Sequence, residues 1–371
     1  MSAIPLVDLS LQHAEVAEEV EDGFAEVLSA GDFIGGKAVS AFEQEYADFV
    51  GARSCIGVAN GTDALEMALR AVGVGQGHEV VVPANTFIAT AEAVVRVGAR
   101  PVFVDVDEDS LLIDPAAVGP VVTERTRAVV PVDLYGQVAP FEQLPRVIAD
   151  RGIAVVEDAA QSQGATRHGR SAGTFGDAAA TSFYPGKNLG AYGDAGAVVT
   201  DDDRIAERVR LLGAHGSPAK YQHTLLGFNS RLDTLQAVVL RAKLRRLREW
   251  NEQRRRAAAS YHAMLAGTPG LRLPATLPGN EPVWHLYVVR VARRDEVLAR
   301  LHAEGIGAGI HYPVPVHLSP ATADLGYAQG AFPVSEQAAH EILSLPMFPG
   351  ITAAQQERVV DVLLSVVGAG G

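Results

Sequence analysis

Short apolar runs recur along roughly the first two-thirds of the chain, separated by stretches whose apolar positions repeat every three or four residues. The runs predict strands at Ser54–Val58, Glu79–Pro83, Arg100–Val104, Thr126–Val130, Ile153–Glu157, Ala178–Phe183 and Ala197–Thr200. Helices are predicted between most of them, among them Asp63–Val72 and Phe141–Arg151. This alternation implies an α/β domain with a mostly parallel mixed sheet flanked by helices. In such sheets ligands gather beyond the carboxyl ends of the strands.

Leu232, Leu235, Val239, Ala242, Leu247 and Trp250 fall on one face of a long helix starting near Arg231. Arg254-Arg255-Arg256 continues it and reads as a solvated face. Beyond Gly267-Thr268-Pro269-Gly270 a strand at Trp284–Val291 and helices at Arg294–Glu304 and Gln355–Val367 predict a smaller α+β C-terminal domain. The expected division is a large domain over 1–248, whose N-terminal segment can pack on the other, and a small domain over 249–371.

With 371 residues, 48% of them apolar, the chain can bury a large core. A net charge of −13 disfavours nonspecific binding to nucleic acid or anionic lipid, but leaves room for a nucleotide-sized anion held by a few local cations. The single cysteine, Cys55, forms no intrachain disulfide and reads as a small apolar filler. Met1-Ser2-Ala3-Ile4-Pro5-Leu6 lacks the pattern of a leader, and no apolar run approaches the ~18 residues of a membrane span. The expectation is a cytosolic enzyme.

Four segments carry candidate chemistry. Asn60-Gly61-Thr62-Asp63 joins a strand to a helix, where free amides and the helix dipole suit a phosphate, although an ordinary helix cap has the same composition. Phe87 follows the second strand and is either a core residue or a flat plate for a planar ring. Asp158 is either part of a helix-capping acid pair with Glu157 or a carboxylate that keeps a pyridine nitrogen protonated; Gln161 then reaches the phenolic oxygen of the same ring. Lys187, in Ser182-Phe183-Tyr184-Pro185-Gly186-Lys187-Asn188-Leu189-Gly190, is a candidate for imine formation, with Ser182 near the phosphate. A phosphate cradle, an aromatic plate, a carboxylate and a lysine are together the parts of a pyridoxal 5'-phosphate site.

Three further stretches are less specific. In Gly227-Phe228-Asn229-Ser230-Arg231-Leu232-Asp233 the polar residues read as helix caps, with Asn229 a second choice for phosphate and Arg231 or Lys220 for an anionic substrate group. His311-Tyr312-Pro313-Val314-Pro315-Val316-His317 is a stiff loop, structural or substrate-contacting, without a third residue for a metal site. Gly73-Val74-Gly75-Gln76-Gly77 follows a helix and precedes a strand, so it reads as a helix-terminating turn rather than a dinucleotide fingerprint.

On these residues the chain resembles the DegT/DnrJ/EryC1/StrS family of sugar aminotransferases, which are fold-type I pyridoxal phosphate-dependent transferases of the aspartate aminotransferase superfamily. The resemblance runs from Pro5-Leu6-Val7-Asp8-Leu9 to Leu345-Pro346-Met347-Phe348-Pro349 and is most specific in the Glu157–Gln161, Ser182–Gly190 and Gly227–Asp233 segments. It implies that Lys187 binds the cofactor as an internal aldimine and acts as acid and base, while Asp158 pairs with the ring nitrogen. Phe87 would stack on the ring and Gln161 would meet the phenolic oxygen. Gly61, Thr62 and Ser182 would hold the phosphate, joined by Asn229 from a second copy in a homodimer. Lys220, Tyr221, Arg231, His311 and Tyr312 are implied substrate contacts. The branch most resembled aminates C3 of dTDP-linked keto-deoxyhexoses, with L-glutamate and 2-oxoglutarate as the donor pair. Gly186 departs from members carrying Thr there. The alternatives are C4 amination, a keto-sugar dehydratase (against which Lys187 counts, since those carry His there) and a cofactor-binding regulator.

Overall fold

A computed structural model of the chain describes residues 3–368. Met1 and Ser2, the start of the segment read above as lacking a leader, lie outside the described residues. The strands are β1 (Ser54–Val58), β2 (Glu79–Pro83), β3 (Arg100–Val104), β4 (Thr126–Val129), β5 (Ala154–Asp158), β6 (Thr166–Arg167), β7 (Arg170–Ser171), β8 (Ala178–Ser182), β9 (Gly196–Thr200), β10 (Leu271–Arg272), β11 (Asn280–Glu281), β12 (Tyr287–Val291) and β13 (Ile342–Leu345). The helices are α1 (Leu9–Ala30), α2 (Gly36–Val50), α3 (Gly61–Ala71), α4 (Ile88–Arg96), α5 (Pro115–Val118), α6 (Val147–Asp150), α7 (Asp203–Gly213), α8 (Thr234–Leu265), α9 (Arg294–Ala303), α10 (Pro333–Glu341) and α11 (Ala353–Val367).

The large sheet has seven strands in the order β1-β9-β8-β5-β4-β2-β3. From β3 to β8 every pairing is parallel, and β9 runs against both its neighbours. Two reversals cancel, so β1 points the same way as β8. The carboxyl ends of β1, β2, β5 and β8 therefore open on one edge. Parallel strands covered on both faces are mostly apolar; every residue of β2 is buried, Val80, Val81 and Val82 among them, as is every residue of the antiparallel β9. The sheet's inner helix, α3, is buried from Asp63 through Leu69.

A second, three-stranded sheet, β10-β12-β13, packs with α9, α11 and the end of α8 around Tyr261, Tyr287, Leu301 and Leu343. Ile4 joins this core, with its amide donating to the Gly305 carbonyl. Among the described residues no helix is long and apolar enough to cross a membrane.

Four readings need correction. The single helix expected over Phe141–Arg151 is a 3-10 turn at Phe141–Gln143 followed by α6. Pro145 lacks an amide and disfavours a helical residue before it, and Leu144 is accordingly extended (ψ 139°). The strand expected from Trp284 begins only at Tyr287, because Trp284 lies in the left-handed region (φ 49°). Arg254 is not on a solvated face. It is 1% exposed, and its Nη1 donates to the carbonyls of Trp284, His285 and Met347 at 3.1–3.5 Å. Burial pulls its pKa down to about 9. Finally, Asp233 makes no side-chain cap bond to α8, and the Ser230 hydroxyl instead accepts from the amide of Ala59.

Candidate active site

The aligned strand ends enclose a cavity of about 440 Å³ lined by Gly61, Thr62, Thr86, Phe87, Thr90, Asp158, Gln161, Ser182, Tyr184 and Lys187, among others. Seven of the residues singled out from sequence thus share one space.

At the end of β1, Asn60 caps α3: its Oδ1 accepts from the amide of Asp63 at 2.8 Å. The cap reading is correct for Asn60, and it leaves the first amides of the helix, those of Gly61 and Thr62, at the cavity wall. Gly61 has a packing reason as well. A Cβ there would lie 2.6 Å from Cβ of Ser182, so only glycine lets the helix start and the end of β8 close on one small volume. A positive helix end, a hydroxyl from Thr62 and another from Ser182 make an anion cradle.

Asp158 ends β5 and is 5% exposed. Its Oδ2 accepts from Thr90 Oγ1 at 2.8 Å, and Thr90 Oγ1 also lies 2.8 Å from Thr86 Oγ1. Its Oδ1 accepts from the amide of Ala160 at 3.2 Å. Burial raises its pKa, opposed by the Thr90 and Ala160 bonds and by Lys187. The capping-pair reading fails for its neighbour. Glu157 is fully buried and accepts from the amides of Gly173 (2.6 Å) and Phe175 (2.8 Å) in a distant loop.

Lys187 stands in the turn after β8, where its amide donates to the Tyr184 carbonyl. Burial brings its pKa down to about 8, with Asp158 pulling the other way. Between about pH 8 and the ordinary lysine value of 10.5 the unfolded chain therefore holds more protons than the folded one. This group's contribution to stability accordingly rises with pH across that window. Reactivity follows the neutral amine. Capture of an added aldehyde by Lys187, trapped with borohydride, should rise about tenfold per pH unit up to about pH 8 and then level off. A rate still climbing through pH 10 would contradict the lowered value.

Phe87 is half exposed rather than in the core, and its ring centroid lies 5.3 Å from that of Tyr312. Gln161 Oε1 accepts from the amide of Tyr135 at 2.7 Å, and its Nε2 lies 3.3 Å from Tyr312 Oη. Tyr135 Oη in turn donates to the His311 carbonyl at 2.5 Å. The 311–312 loop thus meets the cavity residues. The histidines of this segment are otherwise engaged, His311 with Ser344 and the buried His317 with Glu336, and among the described residues no group could hold a metal.

Asn229, Lys220, Tyr221 and Arg231 are exposed and do not line this cavity; Tyr221 is 83% exposed. Thr86, Thr90 and Tyr135 were not foreseen. Thr86 and Thr90 stand beside Phe87 in the same turn, a signal the sequence did carry.

A planar ring bearing a phosphate, an aldehyde and a basic nitrogen fits this donor set: cradle, amine, buried carboxylate and exposed aromatic face. The sequence matches the DegT/DnrJ/EryC1/StrS aminotransferase family over residues 14–364. It is 48% identical to the erythromycin biosynthesis sensory transduction protein EryC1 of Saccharopolyspora erythraea, covering 97% of this chain and 98% of that protein. It is 47% identical to a dTDP-3-amino-3,4,6-trideoxy-alpha-D-glucose transaminase of Streptomyces venezuelae, over 96% of this chain and 94% of the relative. The fold superposes on S. venezuelae DesV, solved in complex with a ketimine intermediate, with TM-score 0.97, 45% identity and 99% of each chain covered. The chain therefore belongs to the DegT/DnrJ/EryC1/StrS aminotransferase family, whose cofactor is pyridoxal 5'-phosphate.

Proposed function

We propose that the chain transfers the amino group of L-glutamate to the C3 carbonyl of a dTDP-linked keto-deoxysugar, in a cytosolic homodimer, as a step in deoxyaminosugar synthesis. The observation that carries the reading is that Lys187, with its lowered pKa, and the buried Asp158 line one cavity beside the anion cradle. The names of the relatives support the substrate class, and the transaminase at 47% identity supports the C3 position.

Bound there, pyridoxal phosphate supplies an exchangeable aldehyde and a cationic ring that delocalises the electrons of a broken C–H bond. The residues do the rest. The amides of Gly61 and Thr62 and the hydroxyls of Thr62 and Ser182 hold the phosphate, with Asn229 of the partner subunit completing it. Asp158 would pair with the ring nitrogen, a role for which its burial and its Thr90 bond fix the carboxylate. Phe87 would cover the ring, and Gln161, whose Nε2 lies 3.3 Å from Tyr312 Oη, would meet the ring's phenolic oxygen. The neutral amine of Lys187 takes the α-proton of the donor amino acid and later delivers a proton to C3 of the sugar. Tyr312 and His311, with Lys220, Tyr221 and Arg231 brought by the dimer, contact the substrate. The division into a cofactor-holding part over 1–248 and a smaller part over 249–371 belongs to the same reading. It falls within α8, whose Leu240, Leu244 and Leu247 pack on the core beneath the large sheet, while Ala257, Ala258 and Tyr261 pack in the second core.

The test is incubation with ¹⁵N-glutamate and a panel of dTDP- and UDP-linked 3-keto and 4-keto deoxyhexoses, read by NMR. Label at C3 of a dTDP sugar is expected. Label at C4 overturns the regiochemistry, and no label on any sugar overturns the assignment in favour of a cofactor-binding regulator.

A further inference from the structure

Asn188, the residue after Lys187, is 1% exposed. Its Nδ2 donates to Asn251 Oδ1 on α8 at 2.9 Å and to the Val283 carbonyl at 3.0 Å. Its Oδ1 lies 3.2 Å from Nδ1 of His285, itself 8% exposed. Amide orientations must be argued from the partners, and here two backbone carbonyls settle them. A carbonyl only accepts. Val283 therefore faces the Asn188 NH₂ group, and the Gln163 carbonyl faces the NH₂ group of Asn251 at 2.9 Å. Turning either amide over would set acceptor against acceptor. Asn188 thus presents oxygen to His285, and Nδ1 of that imidazole is the donor.

A second proton on the ring is disfavoured. Burial lowers its pKa well below the ordinary value, and the nearby Lys187, Arg254 and His311 push the same way. The Nε2 atom is left as a bare lone pair.

We infer that His285 is a positioning residue for Lys187: fixed as the Nδ1–H tautomer, it joins Asn251 and the Val283 carbonyl in saturating the Asn188 amide, and so pins the backbone one residue from the reactive amine. The inference rests on the reading of Lys187 as that amine. The three groups that hold Asn188 come from 63 to 97 residues further along the chain, so the reactive turn is tied to α8 and to the segment leading into β12 rather than only to its own strand. A displacement of about 1 Å at a reacting atom costs about a hundredfold in rate, which sets the scale of the device.

The test has two parts. In the full-length wild-type protein labelled with ¹⁵N-histidine, the His285 signal, assigned by its loss in His285→Asn, should show a protonated Nδ1 and an unprotonated Nε2 from pH 6.5 to 8.5. An Nε2–H tautomer or a doubly protonated ring overturns the inference and leaves the aminotransferase assignment intact. In the variants, the rate at which Lys187 captures added pyridoxal should fall about 10- to 100-fold in His285→Leu. His285→Asn, whose amide nitrogen stands where Nδ1 stood, should restore it to within about threefold. Equal rates in His285→Leu and His285→Asn also overturn the inference. Absence of any capture at Lys187 in the wild type defeats the proposed function instead, and the tautomer measurement still stands on its own.

Discussion

Replacing Lys187 by alanine is expected to abolish multiple turnover and covalent cofactor attachment while leaving the fold intact. In the proposed mechanism the side chain is both the attachment point and the proton carrier of each half-reaction. Positioned acid–base groups contribute about 10²–10⁴-fold on their own, so kcat should fall by at least about 10⁴-fold once attachment is lost as well. No other side chain can stand in. The sequence holds four lysines. Lys37 and Lys220 are exposed and outside the cavity. Lys243 is the one serious rival, since burial brings its pKa to about 8 as well. Its Nζ, however, donates to the Gly190 carbonyl at 2.7 Å and lies 4.5 Å from the centre of the Tyr192 ring, and it does not line the cavity. Single-turnover kinetics of Lys187→Ala with ¹⁵N-glutamate checks this; residual turnover within about 100-fold of wild type would count against the role.

Asp158→Asn should separate stability from activity. In the protein without cofactor, a buried carboxylate is held by a hydroxyl and one amide and faces no salt-bridged cation among the described residues. Because its folded pKa is raised, the stability it contributes is present at low pH and is lost as pH rises through that value. At neutral pH the asparagine variant should therefore unfold at the same temperature as the wild type or higher. With cofactor bound the sign is expected to reverse, because in the proposed pairing the carboxylate then meets the ring nitrogen. Removing one preorganised electrostatic partner costs about 10²–10³-fold in kcat. Thermal melts with and without cofactor, alongside kcat, read both effects. A variant destabilised without cofactor and fully active would contradict the pairing.

The site's outline was legible in sequence because its parts sit where local pattern changes. Asn60-Gly61-Thr62 and Asp158 mark strand ends, and Lys187 lies in a Gly/Pro-containing turn shortly after a strand that opens on three alanines. The short apolar runs marked all seven large-sheet strands to within one residue at each end. What failed was non-local or masked by period. Arg254 shares the helical spacing of a solvated charge run, yet its carbonyl partners lie 30 to 93 residues away. Likewise nothing near Asn188 announces Asn251 or His285. The break at Pro145 was legible and was overridden by the apolar period around it. Asn229, Lys220, Tyr221 and Arg231 are a different case: they lie outside this chain's own cavity, and the part proposed for them rests on a second copy.

The central claim is tested most directly by reducing the protein with borohydride in the presence of pyridoxal phosphate, digesting it and locating the modified peptide by mass spectrometry. The account predicts a single pyridoxyl group on Lys187, within Ser182–Gly190. A label on Lys243, or no label at all, would contradict it.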